Sequence, residues 1–73
     1  MNLAHIGIAV KSLNDSVPVF EKIFDVRAGE LEFVEGQKVN VRKIKLDNCD
    51  IELLEGTDPE STISKFIEKK GEG

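Results

Sequence analysis

The apolar residues of the first ten positions recur with the period of two that is typical of a β-strand. One face of the stretch 3–10 is uniformly apolar and comprises Ala4, Ile6, Ile8 and Val10. The other face comprises Leu3, His5, Gly7 and Ala9. Because the residues that follow His5 on this second face are small, the pattern predicts a strand with one packing face and one face with free space.

Beyond this strand the apolar spacing becomes that of a helix, over residues 12–24. Its apolar stripe comprises Leu13, Val17, Phe20, Ile23 and Phe24. The sequence allows two positions for the start of this helix. Ser12 followed by Asp15 resembles a capping box, whereas Asp15 as the N-cap places Pro18 in the first turn, where its missing N–H costs nothing. We expect a helix whose first turn frays.

Three further strands are predicted in the middle of the chain, over residues 29–35, 37–46 and 49–55. Turn signals at Glu35-Gly36 and Asp47-Asn48 separate them. The apolar positions of the middle strand change phase along its length and are Val39, Val41, Ile44 and Leu46. An extra residue in one strand produces such a change of phase, so we expect a β-bulge near Arg42.

The last segment predicts a second helix, with Asp58 as the N-cap and Pro59 at the first helical position. Gly71 is suited to end this helix. The resulting order is β-α-β-β-β-α, which is an α+β fold. We expect residues 1–73 to form a single βαβββ(α) module. One helix packs on the apolar face of the sheet, and the other face is left for a different partner.

The size of the chain limits how stable this module is by itself. It has 73 residues, and a domain of this size buries only about 60% of its unfolded surface. We therefore expect a partner chain, a metal ion or a missing second half to contribute to the folded state.

Composition excludes several classes of protein. The single Cys excludes an internal disulfide framework, and the formal net charge of −4 argues against nucleic-acid binding. No run of about 18 apolar residues is present, so we expect no membrane partner. The first ten residues lack the basic region of a signal peptide, and we predict a cytoplasmic location.

His5 and Glu52 are the residues whose chemistry and position suggest a ligand site. Both lie on the less apolar face of their predicted strands, since Ile51 and Leu53 beside Glu52 belong to the opposite face. An imidazole and a carboxylate on one open sheet face are half of a divalent-metal site. A histidine or a glutamate on a half-solvated strand is more often simply hydrated, so position alone leaves both interpretations open. Cys49 has no partner for metal binding or catalysis, and we expect it to be a small packing residue.

A basic cluster is predicted on the middle strand, at Arg42, Lys43 and Lys45. Such a cluster can bind a phosphate group, for example that of a nucleotide-bearing cofactor. Lysines on an exposed edge strand also discourage aggregation. The sequence leaves both interpretations open.

Several motifs together resemble methylmalonyl-CoA epimerase, a family of the glyoxalase-like, or vicinal oxygen chelate, superfamily. The opening strand His-Ile-Gly-Ile-Ala-Val at 5–10 is shared by many members of the superfamily. More specific are Gln-Lys-Val at 37–39, Ile-Glu-Leu-Leu-Glu at 51–55 and Lys-Phe-Ile-Glu-Lys-Lys-Gly-Glu-Gly at 65–73. Shorter matches are Ser-Leu at 12–13 and Phe-Glu at 20–21. The resemblance covers the whole chain and corresponds to the N-terminal half of the family.

The resemblance implies a fold, a metal and a substrate. Members of this family place two βαβββ modules side by side around one divalent metal ion. The resemblance therefore implies a divalent metal ion here, which would be Co, Ni, Mn or Zn. His5 and Glu52 would be the two metal ligands of the first module, with the other two supplied by a second module. The implied substrate is an acyl-CoA thioester. The implied reaction is a 1,1-proton transfer at the carbon next to the thioester carbonyl.

Half of the metal site and a proposed catalytic carboxylate of the family lie outside this sequence. We therefore expect either a missing C-terminal module or a homodimer, in which two copies supply four ligands by symmetry. No catalytic residue is assigned within the chain. Two alternatives use the same fold: a glyoxalase I-like lyase, and a non-catalytic glyoxalase-fold binding module.

Overall fold

The computed structural model describes residues 5–47 and 49–73, and at position 5 it describes the backbone alone. The strands are β1 (His5–Ala9), β2 (Glu32–Val34), β3 (Val39–Lys45) and β4 (Asp50–Gly56). The helices are α1 (Leu13–Phe24), α2 (Thr62–Lys70) and a short 3-10 helix (Glu35–Gln37) between β2 and β3. The predicted positions Leu3, Ala4 and Asn48 lie outside the described residues.

The four strands form one sheet in the order β1-β4-β3-β2. The central pair is antiparallel, as is the pair of β2 with β3, whereas β1 and β4 run parallel to each other. The predicted α+β architecture and βαβββ(α) element order are confirmed. The parallel pair matters for function because it brings the first and last strands of the sequence into register.

The hydrophobic core lies between α1 and one face of the sheet, which we call the core face. Ile44 and Leu53 have no exposed surface there, and Val17 of α1 packs with them. The partly buried Ile8 of β1 and Phe20 of α1 pack against this cluster. The apolar stripe predicted for α1 packs on the sheet through Leu13, Val17 and Phe20, whereas its last two residues, Ile23 and Phe24, are exposed.

The opposite face of the sheet, which we call the open face, carries the alternate residues of the same strands. On β4 these are Asp50, Glu52, Leu54 and Gly56, and on β3 they are Val39, Val41, Lys43 and Lys45. Helix α2 contacts β4 and β1 and covers one end of this face. The expectation that the whole second face is free is therefore wrong for the end that α2 occupies.

The predicted β-bulge in β3 is wrong. Pairing with β4 is unbroken from Val39–Gly56 to Lys45–Asp50. The apolar phase changes because β3 buries side chains on both faces. Val41 is buried on the open face, whereas Ile44 is buried on the core face.

Both helices begin at a serine. The Ser12 hydroxyl accepts a hydrogen bond from the Asp15 N–H at 3.3 Å, so Ser12 is the N-cap and Pro18 lies inside α1 rather than in its first turn. Asp15 is therefore not the N-cap. In α2 the N-cap is Ser61, whose hydroxyl accepts from the Ser64 N–H at 3.0 Å.

Asp58 and Pro59 do not start α2, in contrast to the sequence prediction. Asp58 instead closes a turn, with its side chain accepting from the Glu60 N–H at 2.7 Å and its carbonyl accepting from the Ser61 N–H at 3.0 Å. The end of the helix agrees with the prediction. Gly71 adopts a φ of 79° that favours glycine.

Gly73 lies alongside the outer edge of β1. Its N–H donates to the Ala9 carbonyl at 2.9 Å, and its carbonyl accepts from the Ala9 N–H at 2.6 Å. Two residues that exchange both hydrogen bonds form an antiparallel pair. The outer edge of β1 thus has the geometry to accept a further strand.

Candidate functional site

Glu52 lies in the middle of β4 on the open face. Its register partners are Gly7 on β1 and Lys43 on β3. Its side chain is 25% exposed, and its Oε2 lies 3.9 Å from the Nζ of Lys43. On the side of β1 the register partner is a glycine, so position 7 places no side chain beside the carboxylate.

Position 5 lies on the same face as Glu52, two residues before Gly7, which is the register partner of Glu52. His5 pairs with Asp50 and Gly7 pairs with Glu52 in the parallel ladder. In-register positions of adjacent strands share a face, and neighbouring strands are about 4.8 Å apart. The fold therefore brings together the two strand positions that the sequence singled out. Their role as metal ligands stays a prediction.

Asp50 is a third polar residue at this site, and the sequence analysis missed it. It is half-buried, lies beside position 5 in the register and lies two residues before Glu52. The signal was available, because residues two apart on a strand share a face.

The carboxylates of the open face are chemically suited to bind a divalent ion. By themselves, the described residues supply only part of a metal site. Among them, no three His, Cys, Asp or Glu side chains are gathered closely enough to hold an ion. The donors contributed by this face are carboxylate oxygens, which bind divalent ions well. The Glu52 carboxylate is accessible and already has a cationic neighbour in Lys43.

An apolar hollow adjoins the charged end of the open face. It lies between the sheet and α2, and its lining includes Gly7, Leu54, Ile63 and Phe66. A side chain at position 7 would narrow it, because a Cβ there would lie 3.3 Å from Leu54 Cδ1. The open face thus combines a charged end suited to a polar headgroup with an apolar end suited to a carbon chain.

The predicted basic cluster is divided between the two faces of the sheet. Arg42 lies on the core face, and its guanidinium donates to the carbonyls of Gly29 at 2.7 Å and Ala28 at 3.4 Å. Arg42 therefore holds the loop between α1 and β2. Lys43 and Lys45 lie on the open face, beside a shallow groove of mixed charge that includes Arg27, Glu30 and Glu32.

The sheet order places β3 between β4 and β2, so β3 as a whole is not an edge strand. Strand β2 pairs only with Val39–Val41, however, and Lys43 and Lys45 lie beyond that pairing. The interpretation of these lysines as protection for an exposed strand edge therefore stays open. In the described part of the chain, no helix has the length and apolar character needed to cross a bilayer.

Comparison with known proteins supports the fold, and in each comparison the chain matches about half of the relative. No family model matches the chain. The uncharacterized protein YqjC of Bacillus subtilis (strain 168) is 39% identical over 71 residues, which are 97% of this chain and 51% of the relative. The crystal structure of a hypothetical protein from Bacillus halodurans C-125 has a TM-score of 0.91 at 39% identity. That match covers 97% of this chain and 51% of the other.

The similarity extends to an enzyme of the family named by the sequence motifs. Methylmalonyl-CoA epimerase of Streptomyces coelicolor, in complex with 2-nitronate-propionyl-CoA, has a TM-score of 0.92 at 28% identity. The match covers all of this chain and 55% of the epimerase. The chain thus spans about half the length of the relatives it matches. The resemblance to methylmalonyl-CoA epimerases is confirmed, and the chain is a glyoxalase-like half-module of the kind that forms about half of such an epimerase.

Proposed function

We propose that this chain acts as the N-terminal module of a metal-dependent methylmalonyl-CoA epimerase. The observation that carries the proposal is the parallel pairing of β1 with β4, which puts positions 5 and 52 on one open face. The fold likeness to the Streptomyces coelicolor epimerase supports the same assignment. His5 and Glu52 are the proposed metal ligands of this module, and the ion is Co, Ni, Mn or Zn.

The chemistry follows from the weak acidity of the proton next to a thioester carbonyl. A bound divalent ion supplies Lewis-acid stabilisation of the enolate that forms when this proton leaves. Glu52 contributes a carboxylate oxygen and negative charge to the ion site, and His5 contributes a ring nitrogen. The apolar hollow beside Leu54 and Phe66 accommodates carbon atoms of the acyl-CoA.

A second module completes the proposed site. It comes either from a C-terminal module or from a second copy of this chain, which would supply another His5 and another Glu52 by two-fold symmetry. The outer edge of β1 is the proposed junction, and the reciprocal hydrogen bonds of Ala9 with Gly73 support its capacity to accept a strand. A homodimer and a cytoplasmic location both remain predictions.

The direct test is exchange of the α-proton of methylmalonyl-CoA for deuterium, measured by mass spectrometry with each of the four metals. We expect metal-dependent exchange that is lost in His5→Ala and Glu52→Gln and retained in Lys45→Met. Lys45 is a suitable control because it is exposed and lies on the same face of β3. Equal cobalt affinity of wild type and His5→Ala would refute the proposed ligand set.

The assay also separates the two alternative functions. A non-catalytic binding module would bind the thioester without any metal-dependent exchange. A glyoxalase I-like lyase would form a thioester from methylglyoxal and glutathione instead. Sedimentation analysis with and without metal distinguishes a dimeric site from a monomer that holds half of one.

A further inference from the structure

Strand β2 lies at the end of the sheet opposite to β1, where the second module is proposed to join. Among the described residues its strand partner is β3, so its outer edge presents unpaired backbone N–H and C=O groups. All three residues of β2 are exposed. A junction at the outer edge of β1 leaves this second edge free, and the acyl-CoA site does not explain it.

The side chains on the core face of this edge are apolar. Phe33 pairs with Asn40, which places it on the core face, and it is 55% exposed. Leu31 is 57% exposed and lines a hollow on the same face with Val17 and Pro18 of α1. Helix α1 packs on β4 and β3, and these two side chains beyond it stay accessible. Exposed aromatic and aliphatic side chains beside a hollow are typical of a binding surface.

The side chains on the open face of this edge are acidic. Glu32 pairs with Val41, so the inner strand places no cation directly opposite its carboxylate. The chain from Glu30 to Glu35 contains three glutamates and no lysine or arginine. None of the three forms an ion pair with another described residue. Lys43 lines the groove beside Glu30 and Glu32 from the side of β3, which leaves the outer side of these carboxylates open to a further cation.

We propose that the outer edge of β2 binds an extended peptide in which basic and apolar residues alternate. An added strand pairs with the free backbone groups of an edge, and directly opposite residues of two paired strands share a face. The basic side chains of the peptide lie beside Glu32, and its apolar side chains lie beside Phe33 and Leu31. The proposal is independent of the acyl-CoA function.

A second copy of this chain is a poorer occupant of the same edge. Pairing two β2 strands brings together two segments that each carry three glutamates. Like charges on neighbouring strands are destabilising, whereas opposite charges stabilise the pair. Charge complementarity therefore favours a basic partner over self-association.

The test is a titration of the isotope-labelled full chain with a peptide of about eight alternating lysine and valine residues, followed by the amide signals in NMR. We expect saturable shifts at residues 31–34. A control peptide of the same composition has its lysines and valines in two separate blocks. It should bind about tenfold more weakly, because it cannot direct one kind of side chain to each face. The control separates strand addition from general attraction to a chain of net charge −4.

Three variants assign the binding to this edge. Phe33→Ala should weaken binding of the lysine–valine peptide about tenfold, through loss of the aromatic contact. Glu32→Lys should reverse the charge preference and favour a peptide of alternating glutamate and valine about tenfold. Glu68→Lys makes the same change in net charge at an exposed position of α2 and should match wild type. Binding gained by Glu32→Lys cannot result from a loss of folding.

The proposal is overturned if the lysine–valine peptide causes no shift at residues 31–34 up to about 1 mM. Equal affinity for the alternating and the block peptide would also contradict it. Self-association of wild type that is lost in Phe33→Ala would assign this edge to a second copy instead of a basic peptide.

Discussion

The two faces of the sheet are built from alternate residues of the same strands, and on β4 they differ in burial and in charge. On β4, Leu53 has no exposed surface and packs under α1. Its neighbour Glu52 points to the other face, is 25% exposed and contacts the ammonium of Lys43. A single step along the strand separates a residue of the core from a residue of the proposed site.

This difference shows how a chain of 73 residues accommodates both a core and a candidate site. Because side chains alternate across a strand, β4 places Ile51 and Leu53 in the core and Asp50 and Glu52 on the open face. The open face is itself divided, with α2 over its apolar end and the charged residues beyond. Stability should therefore depend on the core face and on the docking of α2, whereas ligand binding should depend on the charged end.

The largest expected effect is on the core face, for Leu53→Ala. Removing a fully buried leucine should lower the free energy of unfolding by about 3 kcal/mol, from lost transfer energy and the cavity left behind. Leu54→Ala is the matched control on the open face, where the side chain is half-buried, and should cost about 1 kcal/mol. Urea unfolding measures both, and equal losses would mean that the two faces contribute alike.

A second test concerns the end of the open face that α2 covers. A Cβ at Gly56 would collide with the hydroxyls of Ser61 and Ser64 and lie 3.0 Å from the Ser64 backbone nitrogen. Gly56→Ala should therefore displace the start of α2 and cost about 2 kcal/mol of stability. Gly36→Ala is the control because a Cβ there meets nothing within 4 Å. An unchanged unfolding midpoint in Gly56→Ala would show that α2 packs loosely on this face.

The sequence was sufficient to predict the parts of the fold that depend on a single periodicity. The alternation in β1 and the helical spacing in α1 correctly identified the side of each element that packs in the core, through Ile8, Leu13, Val17 and Phe20. They did not predict that Ile6, Ile23 and Phe24 on the same sides are exposed, or that Ala9 on the other side of β1 is buried. The same alternation put His5 and Glu52 on the less apolar faces of their strands. That these faces coincide depends on the parallel register of β1 with β4, which only the fold could supply.

The sequence predictions failed where one segment contacts two different parts of the fold. Strand β3 buries Val41 on one face and Ile44 on the other, and a single-face interpretation of that pattern required a bulge that is absent. The basic cluster appeared continuous in sequence, but alternation sends Arg42 to the core face and Lys43 to the open face. Local capping signals also favoured Asp58, although burial of Ser61 against β4 determines where α2 begins.

A smaller effect is expected from the two serine caps. Ser61 is 3% exposed and its hydroxyl also contacts that of Ser64 at 3.0 Å, so Ser61→Ala should cost about 1.5 kcal/mol. Ser12 is only half-buried and its capping bond is 3.3 Å long, so Ser12→Ala should cost about 0.5 kcal/mol. Thermal unfolding of both variants shows which of the two caps contributes more to stability. The reverse order would indicate that the start of α1 limits stability more than the docking of α2.

The smallest effect on stability is expected at the charged end of the open face, and it separates the two faces most clearly. Glu52→Gln should change the free energy of unfolding by less than about 0.5 kcal/mol, because the Lys43–Glu52 pair is accessible to solvent. A double-mutant cycle with Lys43→Met should give a coupling energy below about 1 kcal/mol. A coupling of 2 kcal/mol or more would identify the pair as part of the scaffold. A weak coupling would mean that the chain gains little stability from this pair, as the exposure of both side chains predicts.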